Sequence, residues 1–198
     1  MVWTDVEAPS KEILESLAQK HGLSKKLFLN CLDPDYLPHL ETYGATQFVI
    51  LRFPEPDSKF NADTVQELTT KVALFLNRQG ITSIHRVNLP QLNAVEKKVK
   101  QMMPAETTSY HVLALFFEQV AISFDQPLNE LEQKMEVFEE KIFHSRKTKT
   151  LLQEGYYIKR KASAYKKVIK FTMDVMNTIK KKGDCALSLL QETKDKLD

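Results

Sequence analysis

Glycine, proline, cysteine and long apolar runs are all scarce in this chain, and each shortage excludes something. With 5 glycines and 8 prolines in 198 residues, the chain is not loop-rich and not disordered. Cys31 and Cys185 are the only cysteines. They lie far apart, match no metal-ligand spacing, and read as reduced, structural thiols in a reducing compartment. The most apolar window, 112–124, is interrupted by Glu118 and Gln119 and falls short of the roughly 20 residues of a membrane span. The chain is therefore expected to cross no bilayer. No basic stretch and apolar run follow Met1, so no signal peptide is expected. A net charge of +2 is too small to point to nucleic acid.

Motifs that carry chemistry are missing too. The chain has no phosphate-cradling glycine loop, no G-x-S-x-G and no H-E-x-x-H. His21, His39, His85, His111 and His144 are scattered, and the pairing of His144 with Glu140 reads as a solvated face. His85-Arg86 reads as a surface strand end. No nucleophile is paired with a base, so no enzyme and no small-molecule substrate are expected. The basic and aromatic stretch 156–161 faces glutamates of a neighbouring helix, which argues against nucleic acid.

What is present is a helical hairpin. Leu128, Leu131, Met135, Phe138 and Ile142 recur at alternating spacings of 3 and 4. Leu151, Ile158, Ala162, Tyr165, Ile169, Thr172, Met176 and Ile179 hold one heptad register. Both read as the narrow seam of a coiled coil. The short polar segment 144–150 suits a connection between antiparallel neighbours. The first helix is rich in glutamate and the second in lysine, and folding at 147 or 148 sets Glu136 level with Lys159 and Glu130 level with Lys166. Such pairs fix register more than they stabilise, at about 0.2–1 kcal/mol each.

Upstream, 3–6 reads as a strand. Ser10 caps a helix that ends at His21-Gly22, and a second helix runs from Ser24 to about Leu32. Asp33-Pro34-Asp35 breaks it. Strands are expected at 36–43 and 47–53 around Gly44-Ala45, with 48–51 buried on both faces. A loop covers 54–62. Two more strands, 72–77 and 81–87, flank a turn at 78–80. Asn88 is a candidate cap for a helix that Pro104 ends, and helix resumes from Thr107 to about Phe143, its apolar 110–124 part packing on the sheet. After Gly183 a further helix starts and meets no stop signal. The fold class is α+β: an αβα sandwich with a mixed sheet over 1–124, an antiparallel helical hairpin over 125–182, and the start of a stalk helix over 183–198.

This order of elements resembles the cytoplasmic domain of the CorA family of magnesium transporters. The resemblance rests on Trp3-Thr4-Asp5, His21-Gly22-Leu23-Ser24, the strand 48–53, the hairpin ending at Thr82 to Arg86, and the helical stretches 131–140 and 158–163. It covers essentially the whole chain. It implies a sandwich with two long antiparallel helices, a stalk that runs into the membrane, and five subunits around the ion path. The family's membrane-borne Gly-Met-Asn motif does not occur here. The resemblance implies a soluble regulatory and gating piece on the cytoplasmic side of the inner membrane, anchored through C-terminal helices. It also implies a weak regulatory Mg2+ site between subunits, open to other divalent cations. Leu29 and Asn30 stand where the family has carboxylates, so the candidate ligands are Asn30, Asp33, with Asp35 beside it, and, on the stalk, Glu192 and Asp195. The alternative is a stand-alone cytosolic scaffold that docks a partner by coiled-coil pairing.

Overall fold

The computed structural model describes residues 2–102, 108–144, 149–181 and 193. A five-stranded mixed sheet holds β1 (Val2–Glu7), β2 (His39–Tyr43), β3 (Thr46–Pro54), β4 (Thr69–Asn77) and β5 (Gly80–His85) in the order β1-β5-β4-β3-β2. Four strands form antiparallel neighbours, and β1 pairs parallel with β5 from Val2 opposite Gly80 to Glu7 opposite His85.

Alternation along the inner strands splits the core in two. Phe48, Ile50, Ala73, Phe75 and Ile84 face α1 (Lys11–His21) and α2 (Lys25–Asn30). Val49, Leu51, Phe53, Val72, Leu74 and Leu76 face α4 (Pro90–Gln101), α5 (Ser109–His144) and α6 (Lys149–Lys181). This is the αβα layering that the sequence implies. The run 48–51 is fully buried, and β3 is an interior strand.

Local chemistry sets the ends. The Ser10 and Ser24 hydroxyls accept from Ile13 and Leu27 N–H, and Gly22 closes α1 in the left-handed region at φ 64°. A one-turn helix, α3 (Val65–Leu68), precedes β4. It is fixed by a capping box in which Thr64 and Glu67 satisfy each other's backbone N–H groups. The expected cap Asn88 is displaced: Leu89 is the N-cap, without a side-chain bond, and Pro90 opens α4. β2 begins at His39 rather than Tyr36, because Arg52 engages the carbonyls of Pro34 and Tyr36.

The seam in the second half of α5 and in α6 is not symmetric. On α5 Leu131 is buried, whereas Leu128, Met135 and Ile142 are about two-fifths exposed. On α6 a broad stripe of Ala164, Tyr165, Val168, Thr172, Val175, Met176 and Ile179 is buried. The reason is neighbours. Among the described residues, α5 is mostly exposed beyond Pro127, while α6 packs on α3 and β2 as well as on α5. The buried cluster on that face of the sheet runs without a break from β3 into α6. The narrow seam expected for both helices thus gives way on α6 to the wide stripe of a helix in a layer.

Candidate functional site

The acidic turn at 33–35 is the first candidate, since Asp33 is the described member of the expected ligand set. Strand alternation turns Arg52 to the same face as Phe48 and Ile50, where it ends 2% exposed beneath this turn. Its guanidinium donates to the carbonyls of Pro34 (2.9 Å), Tyr36 (2.7 Å) and Thr69 (2.9 Å) and to the Thr69 hydroxyl (2.7 Å). Lys71 donates to the Asp33 carbonyl and lies over the Tyr36 ring at 5.1 Å. Burial pushes Arg52 down to about 10 and Lys71 down to about 8, so both remain cations at neutral pH. Burial also pushes the Cys31 thiol up to about 12, which makes it a packing residue.

Asp33 and Asp35 are already occupied in this arrangement. The Asp33 carboxylate accepts the Asp35 N–H at 2.9 Å, and the Asp35 carboxylate accepts from the Gln66 amide at 2.9 Å. Two cations lie close beneath them. A divalent ion would meet repulsion and few spare oxygens, so the turn does not fit a resident metal by itself. Among the described residues, no group of three or more His, Cys, Asp or Glu converges on one point. Asn30 closes α2, and its side chain lies outside the described residues, as do Glu192 and Asp195. Leu29, beside it, is exposed on α2.

A second constellation went unread in the sequence. Ser83 and His85 sit two apart on β5, opposite Asp5 and Glu7 of the parallel strand β1. His85 is 2% exposed, not the surface strand end that was expected, because β1 covers that edge of the sheet. Its Nε2 stands 3.2 Å from both Asp5 carboxylate oxygens and its Nδ1 2.7 Å from the Val87 carbonyl. Ser83 donates to Asp5 and accepts the Trp3 indole N–H at 2.9 Å. Burial alone would push His85 down, but the Asp5 hydrogen bond, the Val87 carbonyl and the nearby carboxylates carry it above its ordinary value. With acceptors beside both ring nitrogens, the surroundings of His85 favour the form that donates twice. The Ser83 hydroxyl is spent on Asp5 and not on the histidine, so this is a clasp between strands and not an activated nucleophile.

The hairpin itself closes in the expected antiparallel sense with different charge contacts. Among the described residues, an ion pair bridges α5 and α6 from Lys141 to Glu154 at 2.7 Å, with the lysine on the acidic helix. Glu136 and Lys159 are both exposed, and neither pairs with the other among the described residues. Glu130 acts on Lys161 and on Tyr165, the neighbour of the expected Lys166, so the level is as expected and the partners differ. Arg160 instead reaches Asp63 near α3 at 3.4 Å, and the Tyr156 hydroxyl donates to the same carboxylate at 3.0 Å. The basic side of α6 is thus committed partly to the sandwich. Sequence charge runs named the two faces but not these partners.

The class these features define is an α+β sandwich that presents a long antiparallel helical hairpin. Among the described residues, no helix is long and apolar enough to cross a membrane. The family model described as CorA-like Mg2+ transporter protein matches residues 1–197, and the chain belongs to that family. No curated protein matches it in sequence. Among solved structures, the complete CorA magnesium transporter of Methanocaldococcus jannaschii is 17% identical with a TM-score of 0.73. That match covers 98% of this chain and 64% of that one. The soluble domain of the same transporter gives 17% identity and a TM-score of 0.71, over 98% and 75% of the two chains. The ZntB cytoplasmic domain of Vibrio parahaemolyticus gives 11% and 0.72, over 98% and 77%. The chain therefore spans a little under two thirds of the length of the complete transporter.

Proposed function

We propose that this chain is the regulatory and gating domain of a CorA-like divalent-cation transporter, standing on the cytoplasmic side of the membrane. The observation that carries the reading is the family match over 1–197 together with the hairpin, whose two helices fold as in a complete transporter of that family. In this reading five copies assemble through surfaces that include the C-terminal segment, and rearrangement between copies sets the state of the pore. Divalent regulation is weak and lies between copies. Asn30, Glu192 and Asp195 are its candidate ligands, with Asp33 at its margin, since Asn30 brings one neutral oxygen where a carboxylate would bring charge. No gating step is built on a metal at the 33–35 turn, where Arg52 and Lys71 oppose it.

A chimera tests this. The chain replaces the matching segment of the Methanocaldococcus jannaschii transporter, and Mg2+ influx is followed in proteoliposomes. Influx should fall as Mg2+ rises on the domain side, with the midpoint shifted to higher concentration than in the parent. Influx that is indifferent to Mg2+ on that side removes the gating reading.

A further inference from the structure

Where the hairpin leaves the sandwich, the structure leaves a cavity of about 470 Å³. It is bounded by the loop after β3, the first turn of α4, α5 around Pro127, and α6 at Lys161 and Tyr165. That volume is in the range of small-molecule sites.

The polar groups in its wall are unfinished. Gln119 on α5 is 8% exposed, and its side-chain amide has no hydrogen-bond partner among the described residues. The Oε1 atom of Gln91 on α4 is buried and also has no partner. Native interiors seldom leave a buried atom such as Gln91 Oε1 unpaired, whereas the Gln119 amide faces the open cavity. Two amides on different helices, one with a buried unpaired oxygen and one open to the cavity, offer hydrogen bonds in one place.

The charges are arranged alongside. Lys134 of α5 and Lys161 of α6 line the cavity together with Glu130, which stands by both, and Lys161 also donates to the Lys59 carbonyl at 3.2 Å. Glu130 is shared further: it accepts from the Gln126 amide at 2.9 Å. Burial, and then Lys134, hold the Lys161 ammonium below its ordinary value. A carboxylate between the two lysines would relieve that repulsion. Ile122, Phe60 and Pro127 supply an apolar wall beside them, which suits a hydrocarbon body rather than an inorganic anion.

The geometry points to a binding site for a small amphipathic carboxylate that also carries an N–H donor, the chemistry of a free apolar amino acid, with Lys134 and Lys161 on the carboxylate, Gln91 Oε1 on the donor and Gln119 between them. The site is independent of the transport reading, since it lies within one copy of the chain.

The test is a titration of the 198-residue chain by NMR, following the side-chain amide resonances of Gln91 and Gln119. L-Leucine is the probe. L-Leucinamide lacks the carboxylate, 4-methylpentanoate lacks the donor, and inorganic phosphate lacks both the donor and the apolar body. Leucine should saturate those two resonances, and each of the other three should bind at least about tenfold more weakly, as expected for one lost charge-assisted hydrogen bond. Lys134→Gln, at a half-exposed side chain, and Gln119→Leu should each weaken leucine by about tenfold. Lys100→Gln, on the outer face of α4, should leave binding unchanged. The proposal is overturned if leucine fails to saturate up to its solubility. It is overturned equally if any of the three analogues matches leucine, or if Lys134→Gln and Lys100→Gln behave alike.

Discussion

The ring of Phe138 on α5 rests on the backbone of Gly155 on α6, so closely that a Cβ built on the glycine would stand 2.5 Å from Phe138 Cζ. A glycine inside a helix forfeits about 1 kcal/mol relative to alanine, and here that loss lets the two helices meet over an aromatic ring. Gly155→Ala alone should gain much less than that amount, because the ring must shift. In a Phe138→Ala background the same change should gain the full ~1 kcal/mol. Urea unfolding of the four proteins in the cycle gives the coupling, and strictly additive values would mean that the ring does not rest there.

Gly80 makes the corresponding contact in the sheet. A Cβ at this position would stand 1.9 Å from the Val2 carbonyl oxygen, a backbone atom that cannot rotate away. Gly80→Ala should push β1 off β5 and undo the Trp3 and Asp5 contacts behind it, at a loss of more than about 2 kcal/mol. Hydrogen exchange of the amides in 80–85 should speed up while the β3–β4 amides hold. Unchanged exchange in β5 would contradict the parallel register.

The Asp5–His85 contact carries a pH signature. His85 is raised in the folded state, so its contribution is complete below its unfolded value and fades as pH climbs through the folded one. Asp5 is lowered overall: burial pulls it up, but hydrogen bonds from His85 and Ser83 prevail. Its contribution is complete above its unfolded value of 3.8 and fades as pH falls through the lower, folded one. Glu7 adds attraction for the imidazolium. The pair is therefore at full strength between about pH 4 and 6.5. Urea midpoints measured from acid to alkaline pH should show the wild type losing its advantage over Asp5→Asn on both sides of that window. A constant difference would show that the pair does not titrate with folding.

Arg52 ties the 33–36 turn to Thr69 through four acceptors, the Pro34 and Tyr36 carbonyls and the carbonyl and hydroxyl of Thr69, and a lysine cannot reproduce that fork. Arg52→Lys should lose about 2–3 kcal/mol by leaving buried carbonyls unpaired. The turn should then open to limited proteolysis between Asp33 and Tyr36 before the rest of the chain unfolds. Equal protease resistance in the two proteins would show that the turn is held by something else.

The succession of helices and strands was readable because each leaves a period or a cap. Ser10, Gly22 and Ser24 punctuate the first two helices, and continuous apolar residues at 48–51 announce an interior strand. What was hidden depends on partners far along the chain. Parallel pairing of β1 with β5 joins residues some 80 apart, and nothing local to Trp3 or Ser83 reveals it. The single turn of α3 has no room for a period, and only Thr64 and Glu67 mark it. Of the expected metal ligands, Asp33 was visible as an acid in a turn. Arg52 lay in an expected strand and Lys71 just before one, and nothing local to either revealed the carbonyls that they take. The cavity amides were hidden in the same way, since Gln91 and Gln119 belong to helices whose packing brings them together.

Pro127 falls where α5 passes from residues buried on the sheet to residues that are mostly exposed. It has no N–H to give the carbonyl four residues back, so the helical ladder is one rung short at that level. From there to His144 the helix rises about 26 Å. Small angles are magnified over such an arm: a bend of about 10° at the proline carries the far end through roughly 4–5 Å, by the same rise per residue. The contacts of Tyr156 and Arg160 with Asp63, and of Lys161 with the Lys59 carbonyl, oppose such a bend, so the angle at which the hairpin leaves the sandwich is set by the proline on one helix and by these ties on the other.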